Sequence, residues 1–235
     1  MPYKYYVMLH VTAGTLALVG FWTAAALRKG SPRHRLVGRA YLLVMLAVIV
    51  SGVPLTIQHV IDGNNIGAAF LGYLLLLTAT TVWGAWRAIR DKADPIAYTG
   101  AVFRGFGLAN VLAGAGVLTL GISVGEPLLI GFSAVGLLAG KDMLTKRKQI
   151  LGKPLWWREE HYTAMLGNGV ATHIAFLSIG LPRLLPAIDG AALHYAAWFG
   201  PLAVAVIAKK LLDRKYGASR RVASIGSAAP ATTTP

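Results

Sequence analysis

Apolar runs of about 20 residues follow one another down this chain as far as about residue 212, and nothing else in the sequence restricts the fold as severely. In hydrocarbon every backbone N–H and C=O must find its partner within the protein, so only helices and closed barrels can span a membrane. A barrel needs apolar and polar residues alternating in short strands. These runs are continuously apolar, and as helices each covers roughly 30 Å, the thickness of the bilayer core. The sequence therefore predicts an all-α, polytopic membrane bundle. Composition agrees, since 14% of residues are charged where a soluble domain carries roughly 25%.

Seven transmembrane helices are predicted, at about 5–27, 37–57, 66–88, 103–124, 127–144, 160–181 and 193–212. Gly30, Ser31 and Pro32 punctuate the first turn, and Gly125, Glu126 and Pro127 a later one. Met1 to Lys4 is too short and too weakly charged for a signal peptide, so the first helix is expected to be retained. Residues 1–218 read as one transmembrane domain. Residues 219–235, rich in Ala, Ser, Thr and Pro, read as a polar C-terminal tail that cannot bury enough apolar surface to fold alone.

Loop charge predicts the threading. The first, third and fifth loops and the C-terminal tail hold nearly all the Lys and Arg, while the opposite loops hold Asp62, Glu126, Asp189 and the single Arg183. Short basic loops stay cytoplasmic, so the N-terminus is expected outside and the C-terminus on the cytoplasmic side. The formal charge of +14 then points to anionic lipid head groups as partners on the cytoplasmic face, not to nucleic acid. With no cysteine, the chain has no disulfide, thiolate metal site, iron–sulfur cluster or covalent c-type haem.

Helices in lipid associate through close packing at small residues. Asn110, Gly114, Val117 and Gly121 form one stripe at helical spacing, and Gly136 and Gly140 make a GxxxG pattern preceded by Ser133. Such stripes are expected to be packing seams, with a ligand groove as the other reading.

Polar groups at membrane depth are costly, so they are where a function is sought. His34 and His161 fall at the cytoplasmic ends of their helices, His10, His59 and His194 towards the outer face, and His173 near a helix middle. At 100° per residue, His161, Met165, Asn168 and Thr172 share one stripe. With Asn110 and His173, Asn168 and Thr172 are the candidates for a polar path. His34 lies between Arg33 and Arg35, with Arg39 one turn on, where arginine forks could hold a phosphate or haem propionates. The plainer reading is that these groups grip lipid head groups, and that Glu159, Glu160 and His161 pair with Arg33, Arg35, Arg39 or Arg158. The aromatic residues near the helix ends need only be an interfacial belt.

The segments His10-Val11-Thr12-Ala13-Gly14, Lys29-Gly30, His34-Arg35, Gly38-Arg39 with Tyr41 and Met45, and later Trp157-Arg158-Glu159-Glu160-His161 with Met165, resemble the DUF2306 family of bacterial multi-helix membrane proteins. The resemblance implies motif histidines at His10, His34 and His161. It brings no reaction with it.

Several classes of function fit these residues. A b-type haem or redox protein would use imidazoles from two helices at one depth, His34 with His161 on one side and His10 with His59 or His194 on the other. Arg35 and Arg39 would serve the propionates. A metal-dependent enzyme would draw on His34, Glu160 and His161 for a divalent ion such as zinc, although no HExxH spacing supports it. A small-solute transporter would need a cavity around the polar path. A non-catalytic subunit would dock other membrane proteins through its glycine seams.

Overall fold

The computed structural model describes residues 3–184 and 190–227, and among them all regular structure is helical. The elements are α1 (Tyr3–Ala26), α2 (Pro32–Ile61), α3 (Asn65–Arg90), a one-turn α4 (Pro95–Tyr98), α5 (Ala101–Val124), α6 (Pro127–Ile150) and α7 (Trp156–Ile174). A π-helical segment, Ala175–Gly180, follows, then the short α8 (Leu181–Leu184) and the long α9 (Ala191–Ser227). Helix starts follow local chemistry. Ser31 caps α2 by accepting the His34 N–H, Asn64 caps α3 through Gly67, and Asp94 accepts from Ile96 and Ala97 at α4. Gly125, at φ 67, ends α5 in the left-handed conformation that costs glycine least.

Six helical stretches are long and apolar enough to cross a membrane: Tyr3–Ala26, Pro32–Ile61, Asn65–Arg90, Pro95–Val124, Pro127–Ile150 and Ala191–Tyr216. The seventh predicted span, 160–181, is helical but does not meet that standard. It begins with Trp157-Arg158-Glu159-Glu160-His161 and breaks register at Ala175. There Ser178 Oγ donates to the Ile174 carbonyl at 2.6 Å, diverting an acceptor of the helical ladder. α9 runs on through part of the expected polar tail to Ser227. The connection containing Pro186 and Asp189, and residues 228–235, lie outside the described residues.

α3 and α7 pack together at the centre. The α1–α2 hairpin lies against both, the α5–α6 hairpin flanks α3, and α9 lies along α7. The two small-residue stripes meet in the α5–α6 seam. A Cβ on Gly140 would come within 2.5 Å of the Gly107 carbonyl oxygen, and one on Gly121 within 2.9 Å of Ile130 N. Tyr73 of α3 ties this hairpin to the centre, its hydroxyl donating to Phe132 O and accepting from Gly136 N, both at 2.8 Å. It thus stands in a rung of α6's own ladder. The C-terminal ends of α1, α3 and α6, the N-terminal turns of α2 and α7, and α4 gather at one end, called the basic end here. Aromatic packing closes it, with Tyr98 against Phe103 and Trp156, each at 4.9 Å between ring centroids.

Candidate functional site

The site grows out of the turn between α1 and α2. A helix leaves its last carbonyls without partners. Here Lys29 Nζ donates to Ala24 O at 3.0 Å and Ala25 O at 2.6 Å, and His34 Nδ1–H donates to Ala24 O at 3.1 Å. Two residues of the basic segment thus cap α1, and partial burial lowers the pKa of the Lys29 amine. His161 arrives from the first turns of α7, where its Nδ1–H donates to Ala85 O of α3 at 3.0 Å. His34 and Lys29 lie near enough to influence its ring electrostatically. The α2 and α7 histidines are therefore gathered at the basic end.

Their ring chemistry matches. In each the Nδ1–H goes to a main-chain carbonyl, which fixes the neutral tautomer and leaves the Nε2 lone pair for another partner. A backbone anchor on one ring nitrogen is also how ligating histidines are oriented. His10 follows the same rule. Ser51 donates to Ala47 O at 2.7 Å, so its Oγ accepts from His10 Nδ1 at 3.1 Å. His10 is fourteen residues before Ala24, about 21 Å along α1, too far to join the other two.

The other histidines are engaged differently. His173 spends both nitrogens, with Nδ1 donating to Gly169 O at 2.7 Å and Nε2 accepting from Trp22 Nε1 at 3.0 Å. His59 is held by Asn64 in its own turn, and His194 packs on Tyr195 and Trp198 of α9. Neither predicted outer pairing, His10 with His59 or with His194, is among these contacts. His10 faces Ser51 and Gly52 instead.

The carboxylates correct the expected pairing. Glu160 accepts from Lys146 at 3.3 Å and from the Tyr98 hydroxyl at 3.2 Å, and Lys146 also holds Asp142 at 2.6 Å. Glu159 meets Lys153 at 2.7 Å and Lys209 at 3.9 Å. Lysines from α6, α9 and the α6–α7 loop neutralise the glutamates, not Arg33, Arg35 or Arg39. Those three are exposed and carry no ion pair to a carboxylate among the described residues. Arg158 lies over the Tyr216 ring at 4.3 Å. Glu160 is thus committed towards α4 and α6 while its neighbour His161 bonds to α3. Among the described residues no three His, Asp or Glu side chains come together as a metal site, so His34, Glu160 and His161 are not assembled as one.

The predicted polar path separates into braces. Asn110 Nδ2 donates to Thr80 Oγ1 and Phe106 O, both at 2.8 Å, linking α5 to α3. Asn168 Oδ1 accepts from Thr81 Oγ1 at 2.7 Å, linking α7 to α3. Thr172 bonds back to Asn168 O at 2.8 Å, and His173 turns to Trp22. Asn168 and Thr172 share a stripe as expected, but nothing connects them to Asn110 or His173 as a channel. Sequence reasoning did not single out Tyr98, Thr80 or Thr81. Thr80 and Thr81 carried a signal, standing with Thr78 in an otherwise apolar run, whereas a tyrosine near a helix end is indistinguishable from an interfacial one.

No known family, curated protein or solved structure matches the chain.

Proposed function

We propose that His34 and His161 form a bis-imidazole seat for a b-type haem at the basic end of the bundle. The observation that carries this reading is the shared ring geometry. Two neighbouring histidines on different helices each commit Nδ1 to a backbone carbonyl and keep Nε2 for a ligand. Space beside the histidine stripe of α2 supports it, because a Cβ on Gly38, one turn beyond His34, would meet no atom within 4 Å. Arg35 and Arg39, exposed and without acidic partners among the described residues, would hold the propionates as bidentate forks. When bound, haem supplies one-electron transfer. The chain's own residues orient the imidazoles and balance the propionate charge. Titrating the purified protein with haemin should give a low-spin, shifted Soret band that His34→Ala and His161→Ala each move or weaken and His173→Ala preserves. A wild-type protein that leaves haemin unshifted contradicts the proposal.

We also infer a seven-fold threading in which α7 and its π segment make the sixth crossing and the basic end faces the cytoplasm. The charge distribution supports it, since Lys and Arg concentrate at that end. The chain has no native cysteine, so single cysteines at positions 152 and 190, on either side of α7 and its π segment, can be labelled from either side of sealed vesicles. Opposite accessibility is expected, and labelling from the same side overturns the threading.

A further inference from the structure

We propose that the cleft between the α3–α4 turn and the α6–α7 loop binds the phosphate and glycerol of an anionic phospholipid from the leaflet at the basic end. Its volume is about 350 Å³, with Lys92 and Pro95 lining one side and Ile150, Lys153, Trp156 and Trp157 the other. That lies in the range of small-molecule sites, and a bare ion would not fill it. The apolar stretches fix its depth. Asn65–Arg90 and Pro127–Ile150 end beside the cleft and Pro95–Val124 begins there, so it stands where hydrocarbon gives way to head groups. Tryptophan is enriched at that level. Ile96, Leu151 and Leu155, in and next to its walls, are exposed. Two exposed leucines in a five-residue loop are unfavourable in water but suit the boundary with acyl chains.

Charge selects the head group. Segments 87–94 and 146–160 carry eight Lys and Arg against four Asp and Glu. Those carboxylates are engaged: Asp91 with Arg87 and Arg90, Asp94 as the cap of α4, Glu159 with Lys153 and Lys209, and Glu160 with Lys146. Lys92 is exposed and makes no ion pair among the described residues, so its whole charge is left for a ligand. An ammonium meets a phosphate as a compact point charge. Lys153, on the opposite wall, stays bound to Glu159 at 2.7 Å and adds little net charge. Selectivity for an anionic lipid therefore rests on Lys92. None of the lining residues belongs to the His34–His161 seat, so the site is independent of the haem reading.

Thermal unfolding of the full-length, haemin-free protein in neutral detergent tests this, because a ligand that binds the folded state raises Tm with its concentration. Phosphatidylglycerol, phosphatidylcholine and inorganic phosphate are added in separate titrations. Phosphatidylglycerol should stabilise the wild type well beyond phosphatidylcholine at equal concentration. Lys92→Ala should weaken its apparent affinity about fivefold, the usual effect of one basic residue at an anionic surface, and Lys92→Arg should keep it. Lys210→Ala, which removes an exposed cation from α9, should leave that affinity unchanged. Equal stabilisation by the two lipids, an affinity that Lys92→Ala leaves alone, or an equal loss in Lys210→Ala overturns the proposal. Protection by inorganic phosphate that Lys92→Ala removes also overturns it, by making the ligand a soluble anion.

Discussion

The two hairpins that flank the central α3–α7 pair are built on opposite principles. Along the α5–α6 seam the glycines are closed, with Gly107, Gly114, Gly121, Gly136 and Gly140 each facing backbone or side-chain atoms too near for a methyl group to enter freely, while Gly105 and Gly116 on the other faces of α5 meet nothing. At its basic end Lys146 is matched to Asp142 and Glu160. In α1–α2, Gly14 and Gly38 face open space. That hairpin carries Lys4, Arg28, Lys29, Arg33, Arg35 and Arg39 but none of the chain's acidic residues, the first of which is Asp62. A hairpin whose seam glycines and Lys146 are used up by its neighbours is structural along that seam. One that keeps open glycines, uncompensated arginines and anchored histidines has capacity left for a ligand.

The contrast can be broken most sharply at Lys146. Its side chain and that of Glu160 are 13% and 12% exposed, so Lys146→Ala strands a buried carboxylate, and stability should fall by about 3 kcal/mol, as when one partner of a buried pair is removed. Thermal unfolding in detergent would show it, and adding Glu160→Gln should restore most of the loss. An unchanged Tm would mean that the basic end of α6–α7 is as loosely compensated as that of α1–α2. Glycine replacements come next. Gly140→Ala drives a methyl against the Gly107 carbonyl and should destabilise by about 1–3 kcal/mol. Gly38→Ala, smallest of the three, should stabilise slightly, by about 0.5–1 kcal/mol, through helix propensity alone. Opposite signs sharpen the distinction between closed and open hairpins, and a loss at both positions removes it.

The all-helical fold, six of its long apolar helices, the basic turns and the packing role of the Asn110–Gly121 stripe and the Gly136–Gly140 pattern were legible in the sequence, because each is periodic or local. Partner choice was not. Glu160 chooses Lys146 over the arginines because α6 packs beside α7's first turn, a tertiary fact that loop charge does not encode. The capping roles of Lys29 and His34 depend on the path of a five-residue turn. His173 read as part of a polar path, yet Trp22, 151 residues away in sequence, completes its ring. Likewise, Asn110 and Asn168 read as a path because both are polar at membrane depth, whereas adjacent threonines of α3 receive them separately. The break at Ala175 left no mark in the hydropathy.

Electron paramagnetic resonance of the haemin-loaded ferric protein tests the central claim most directly, because two imidazoles give a low-spin iron and one gives a high-spin iron. The wild type should be low-spin, with His34→Ala or His161→Ala converting it to high-spin or emptying it. A wild-type spectrum that is high-spin, or low-spin and indifferent to both substitutions, would contradict the paired-histidine account.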